Sequence, residues 1–264
     1  WEQAEDSMYT LCGKDRIHPS TDGHLVMAYL FLKAQGLAGK PVADIRIDGA
    51  GKKVTRSDNC RVSDLSVSSD NLTFTYEAKS LPYPIDTSYY DNEKHTQADA
   101  LSVIPFMDEM NYEGLSVSGL SDGYYGLTIG GEFIGRFTAR ELERGVNMAL
   151  LQNTPQYKQA MKIRQMNEER WLKERKMREF YWVEYNLMRK TGMLWACNEA
   201  AVDTLRKYRP HDIFLQWNGD LWLQYMHKGI REDCVNEQQD LVNQIYEQNK
   251  PIPLRIEIKK FTDL

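Results

Sequence analysis

The sequence predicts an α+β fold, on three observations. Several segments within residues 41–137, such as 62–67 and 72–76, alternate apolar and polar side chains with period two between clusters of turn formers. From Pro155 to Lys190 there is no internal Gly or Pro, and the run is rich in Met, Trp, Glu, Lys and Arg, a helical composition. A short loop-and-helix unit precedes both. The expected organisation of the 264 residues is therefore a leading unit over 1–40, a small antiparallel β-rich module over 41–137, and a mainly helical segment over 138–264 with an extended tail.

Each element has a local cause. Ser20, Thr21 and Asp22 are N-cap candidates for a helix. Leu25, Val26, Tyr29 and Leu32 then recur at helical spacing until Gly36 and Gly39-Lys40-Pro41 stop it. Val42, Ile45 and Ile47 predict a strand ending at Asp48-Gly49-Ala50-Gly51. Residues 62–67 and 72–76 alternate on either side of Ser69-Asp70-Asn71 and read as a hairpin. Two prolines make Leu81-Pro82-Tyr83-Pro84 a loop. Residues 97–110 carry a helical pattern that Pro105 interrupts. Leu115–Leu120, Tyr125–Ile129 and Phe133–Phe137 read as strands, the last two joined by Gly130-Gly131. Thr138-Ala139-Arg140-Glu141 fits a capping box. Helical pieces follow from Asn198 to Arg206, over 216–228 and over 231–248, and Pro251–Ile258 reads as an extended strand or arm.

Composition excludes some functions. A net charge of −5 argues against a general nucleic-acid binder. No apolar run reaches the ~18 residues of a membrane span. The four cysteines, Cys12, Cys60, Cys197 and Cys234, lack C-x-x-C spacing, which argues against zinc, and no other metal and no cofactor is expected. Cys197 and Cys234 are left open between a disulfide and free thiols. The basic bias of 158–190 reads as a solvated helix face, with a docking surface for an acidic partner as the sharper alternative. Trp171, Phe180, Tyr181, Trp182, Tyr185 and Trp195 read as a core stripe rather than a sugar-stacking one. Asp108, Glu109 and Glu113 offer a glycosidase-like carboxylate pair with nothing to fix its separation.

The chemistry is carried by Asp15-Arg16-Ile17-His18-Pro19. A hydroxyl nucleophile needs a base, and the base needs its other ring nitrogen held by a carboxylate. Asp15 and His18, three apart in a turn, can make that second contact. His24 is on the first helical turn and reads as a surface residue, while His95, His211 and His227 lack partners at ligand spacing. Lys14-Asp15-Arg16-Ile17-His18-Pro19-Ser20-Thr21-Asp22-Gly23-His24, followed by Leu25-Val26-Met27-Ala28, resembles the last conserved block of the SGNH (GDSL-type) serine hydrolases.

That resemblance covers roughly residues 13–36, and the remainder looks like the C-terminal extension of one bacterial branch of such proteins. It implies His18 as the base, Asp15 as its orienting carboxylate, and residues 1–40 as the last loop and helix of a flavodoxin-like α/β/α layer. It also implies a serine esterase acting on small esters, acetylated carbohydrates among them, in a secreted or periplasmic setting. The chain holds no Gly-Asp-Ser block, no Gly-x-Ser-x-Gly, and none of the family's oxyanion-hole positions. Trp1 opens the sequence only fourteen residues before Asp15. The expectation is a C-terminal part whose partner is the missing N-terminal part of the hydrolase domain. On that view the first helix exposes Leu25, Val26, Tyr29 and Leu32 to water. The rival expectation makes residues 42–264 a non-catalytic interaction or carbohydrate-binding appendage.

Overall fold

The computed structural model describes residues 10–12, 16–88 and 95–261. Two compact units divide the chain, one of residues 1–161 with 249–264 and one of residues 162–248. Together they give the α+β class that the periodicity predicts.

The first unit is built on two sheets. Strands β1 (Ala43–Asp48), β2 (Lys53–Asp58), β3 (Cys60–Val67), β4 (Asn71–Ala78), β5 (Glu113–Ser118), β6 (Tyr124–Ile129), β7 (Glu132–Thr138), β8 (Val146–Asn147) and β9 (Leu254–Lys260) supply them. One sheet has the order β2-β1-β5-β8 and the other β3-β4-β9-β6-β7. All pairings are antiparallel except β1 with β5, which run parallel in register from Ala43 opposite Glu113 to Asp48 opposite Ser118. That single parallel pair departs from the wholly antiparallel module read from the sequence. It arises because the chain leaves β1, makes β2 on one side of it and the β3 and β4 excursion, and returns as β5 along the opposite edge of β1. Strand β2, Lys53-Val54-Thr55-Arg56-Ser57-Asp58, has no apolar alternation because it is an exposed edge strand.

Of the two readings of the tail, strand or arm, the structure takes the strand. Leu254, Ile256 and Ile258 point into the core while Arg255 and Lys259 face out. β9 lies between β4 and β6, pairing antiparallel with both. Phe74, Leu127, Ile256 and Ile258 are fully buried with Ile45, Leu115 and Leu142 in the core the two sheets share. Burial of each such side chain contributes ~1.5–3 kcal/mol. At the β6–β7 hairpin, Gly130 and Gly131 hold φ of 60° and 85°, the left-handed conformation this tight turn requires. Thr138 and Glu141 form the expected capping box at the start of the short helix Ala139–Arg144.

Helix α1 (Thr21–Ala34) packs on a 3₁₀ turn, Gln97–Ser102, and on α2 (Phe106–Glu109). Pro105 splits the helix expected over 97–110 into these two short pieces. Leu25, Val26 and Tyr29 are buried against Ile85, Ala100, Ile104, Phe106 and Met107. The expectation that this stripe meets water is thus corrected: the chain's own 85–107 segment covers it. The face left open is the other one, Met27, Leu30 and Phe31, each more than half exposed. Tyr29 Oη (2.7 Å) and Lys33 Nζ (2.8 Å) donate to Glu109 Oε2 and pin α1 to α2.

Helix α3 (Ala139–Arg144) is followed by α4 (Pro155–Val183), whose later part enters the second unit and ends in a π-helical turn, Glu184–Met188. Helices α5 (Glu199–Tyr208), α6 (Ile213–Tyr225) and α7 (Lys228–Gln248) complete that unit. Asn198 and Asp212 cap α5 and α6 by accepting from backbone amides of their first turns. The core joins Phe180, Val183 and Met188 to Leu205, Leu215 and Trp222. Of the aromatic stripe, only Phe180 is fully buried; Trp171, Tyr181, Tyr185 and Trp195 reach the surface. Some of the basic residues of α4 are engaged by (i, i+4) carboxylates, Arg164–Glu168, Arg175–Glu179 and Arg178–Glu174, as on a solvated face. Among the described residues no helix is long and apolar enough to cross a membrane.

One carboxyl stands out in the sheet core. Glu113 is wholly buried, accepts from Tyr76 Oη (2.8 Å) and Gln156 Nε2 (3.2 Å), and burial pushes it up to about 7. Those hydrogen bonds offset the burial only in part. Gln156 Oε1 has no hydrogen-bond partner, so a neutral Glu113 can donate to it once the amide turns over. Because the folded state holds this proton more tightly than the unfolded chain, stability from this group is full below pH ~4.5 and is lost as pH rises to about 7. At ~1.4 kcal/mol per pKa unit the loss is about 3 kcal/mol. Glu113→Gln is expected to remove this fall and to equal or exceed the parent in thermal midpoint at pH ~8. Circular dichroism melts of both proteins across that range check it; parallel curves would refute the assignment.

Candidate functional site

The site begins with a loop closed by backbone. Cys12 and Pro19 form an isolated antiparallel bridge. Just outside it, Ser20 donates to Leu11 O from its amide (3.0 Å) and from its hydroxyl (3.1 Å). The loop between them carries Arg16, Ile17 and His18, all exposed. Arg16 is held at φ 56°, a left-handed conformation that a non-glycine residue adopts only at a cost.

Ser20 is the N-cap of α1 by backbone geometry, yet its hydroxyl is turned away from the helix amides. It donates to Asp22 Oδ1 as well as to Leu11 O. Asp22 is fully buried, and the same Oδ1 accepts from Gly23 N (2.8 Å). Its other oxygen, Oδ2, has no hydrogen bond and lies 3.7 Å from His95 Nδ1. Gly23 has a direct reason to be glycine: a Cβ there would stand 2.0 Å from Leu11 O and 3.3 Å from Pro19 Cβ. The 11–12 backbone therefore lies flat on the first turn of α1, and that close approach fixes the root of the His18 loop.

Of the two residues the sequence singles out, His18 sits exposed in this loop, and Asp15 lies outside the described residues. His24, on the outer side of the first turn, is exposed. The carboxylate-pair reading of Asp108, Glu109 and Glu113 has no support, because Glu113 is sealed in the core and Glu109 is held by Lys33 and Tyr29. Ion pairing with Lys33 keeps the Glu109 carboxyl below its ordinary range. Sequence reasoning missed Asp22 as anything but a cap candidate. It also missed His95, whose partner comes from a distant part of the chain and leaves no local pattern. Among the described residues, no group of three His, Cys, Asp or Glu side chains is placed to hold a metal. Two surface hollows, of ≈ 540 Å³ and ≈ 340 Å³, are lined wholly by the helical unit, around Met177, Tyr181 and Arg231 and around Trp182, Tyr208 and His211.

Comparison with known proteins bears on both units. Residues 161–250 match the diltiazem deacetylase C-terminal helical domain. That span nearly coincides with the compact unit of residues 162–248. A solved structure, a gut microbial diltiazem-metabolizing enzyme, superimposes with a TM-score of 0.93 at 40% identity over 98% of this chain. The chain spans 59% of the length of that enzyme. No curated protein matched.

The Gly23 contact gives a test of the loop. Gly23→Ala must push the Leu11 carbonyl away and is expected to cost ~1–3 kcal/mol, by analogy with overpacking in a tight site. Freed of the Leu11–Ser20 clamp, the loop should also be cut faster by trypsin after Arg16. Differential scanning fluorimetry and timed proteolysis read the two effects, and an alanine variant with parental midpoint and cleavage rate would defeat the clamp.

Proposed function

We propose that this chain is the histidine-bearing portion of an SGNH-type serine esterase that removes acetyl groups from small esters. His18 acts as general base and Asp15 orients it, while the nucleophilic serine and the oxyanion donors lie outside these 264 residues. The observation that carries the reading is the likeness, at 40% identity over 98% of the chain, to an enzyme that metabolizes diltiazem. The match of 161–250 to a domain named for a deacetylase supports the reaction class.

Two features of the first unit support the assignment of the base. His18 is exposed on a loop whose root is fixed by Leu11, Ser20 and Gly23. Helix α1, directly after it, is apolar on two faces. Leu25, Val26 and Tyr29 fill the chain's own core, and Met27, Leu30 and Phe31 remain open. A helix apolar on both sides is suited to lie between two layers. The occupant proposed for the open face is the serine-bearing part of the hydrolase domain.

The mechanism follows the chemistry of a neutral hydroxyl. His18 takes the serine proton as the oxygen attacks the acetyl carbonyl, then returns it to the departing alcohol. Water activated by the same imidazole releases acetate from the acyl-enzyme. Asp15 holds the ring tautomer and stabilises the imidazolium, offsetting the positive end of α1 nearby. Acetylated carbohydrates are within the proposed substrate class, in a secreted or periplasmic compartment.

In the intact esterase carrying this sequence, His18→Ala should lower kcat/KM for a chromogenic acetyl ester by about 10³-fold or more. A fluorophosphonate should label a serine outside residues 1–264, and the label should be lost in the same variant. Full turnover and labelling after His18→Ala would overturn the assignment.

A further inference from the structure

The helical unit holds a second pair of chemically active side chains, remote in sequence from His18. Cys197 and His227 are both exposed, and Cys197 Sγ lies 3.3 Å from His227 Nδ1. We propose that this pair is a thiol–imidazole exchange site that takes up a small organic disulfide on Cys197.

Each member is held by a buttress that a loose surface contact would lack. Cys197 ends a loop anchored by Glu184, a carboxylate 1% exposed in the π-helical turn after α4. Glu184 accepts from the Trp195 amide (2.8 Å) and from Trp222 Nε1 (2.8 Å). Trp195 is held there at φ 63°, a left-handed conformation strained for a bulky residue. Its ring stands on the surface between Tyr181 and Tyr185, with centroids 6.0 Å and 5.8 Å away. His227 sits in the turn between α6 and α7. Arg231 holds that turn, donating to Tyr225 O and to Met226 O (2.8 Å), with its guanidinium 4.8 Å from the Phe180 ring. Thus a π turn, a left-handed tryptophan and a capping arginine fix the two atoms within reach of each other.

The chemistry available to the pair is narrow. With two ligands and no third His, Cys, Asp or Glu among the described residues, it is no metal site. Ester cleavage needs donors for an oxyanion and a partner for the base, and among the described residues His227 has no carboxylate partner. Disulfide exchange needs neither, because the departing sulfur carries its own charge. His227 takes the thiol proton as Cys197 Sγ attacks one sulfur of R–S–S–R. The S–S bond breaks, a Cys197–S–S–R bond forms, and the released RS⁻ takes the proton back as RSH. The other cysteines do not compete, since Cys60 and Cys234 are buried and Cys12 is half-buried.

The test uses the full chain and dithiobis-nitrobenzoate, a disulfide whose released thiolate is coloured. One fast equivalent is expected, mapped by peptide mass to Cys197 and absent in Cys197→Ser. His227→Gln should slow it about tenfold or more near neutral pH and change its pH profile. Free imidazole should restore part of the rate to His227→Ala. Both side chains are exposed, so melting curves of the variants should match the parent. The proposal fails if the fast equivalent is Cys12, if the parent reacts no faster than glutathione, or if His227→Gln leaves the rate and its pH profile unchanged.

Discussion

The pairing of β9 with β4 on one side and β6 on the other is the constraint on which the β-rich unit depends. Without Leu254–Lys260 the strand order breaks into two hairpins, β3-β4 and β6-β7, each too small to be stable alone. Ile256 and Ile258 are fully buried, so their side chains also fill the space between the sheets. The chain therefore completes its first unit only after the helices of residues 162–248 have been made. Such a long-range strand pairing carries a high closure entropy and forms late. The helical unit is consequently an insertion in the β-rich one, not an appendage at its end.

Buried carboxylates recur at the points where the molecule must hold an irregular shape. Glu113 ties Tyr76 and Gln156 inside the sheet core. Glu184 ties Trp195 and Trp222 across the helical unit, at the one π turn among the described residues. Asp22 ties Ser20 and Gly23 at the root of the His18 loop. A buried carboxylate is expensive unless its lone pairs are used, so each of these sites specifies one arrangement of its neighbours. Two of the three anchor the backbone within a few residues of His18 and of Cys197, through Ser20 in one unit and Trp195 in the other.

The functional reading rests on a division of labour. The proposed base, His18, on an exposed loop, and a helix apolar on two faces are what the proposal needs of this chain, which spans 59% of the enzyme it resembles. The helical unit, matched to the helical domain of a deacetylase, brings its own aromatic surface and its own thiol. Part of the basic α4 face is ion-paired through Arg164, Arg175 and Arg178.

The sequence by itself determined what short-range physics controls. The α1 start, the β3–β4 and β6–β7 hairpins, the capping box at Thr138 and the long helix were all legible because turn formers and periodicity act within a few residues. Gly23 was legible as part of a motif, though not its cause, which is the Leu11 carbonyl pressed against it. Tertiary structure alone decided the rest. It put β9 at the centre of a sheet, gave β1 a parallel partner in β5, and covered Leu25, Val26 and Tyr29 with residues from 85–107. It also brought His95 to Asp22 and His227 to Cys197. These contacts join residues far apart in the chain, and no local pattern encodes them: they are selected only when the apolar faces of separate elements find the packing that buries them together.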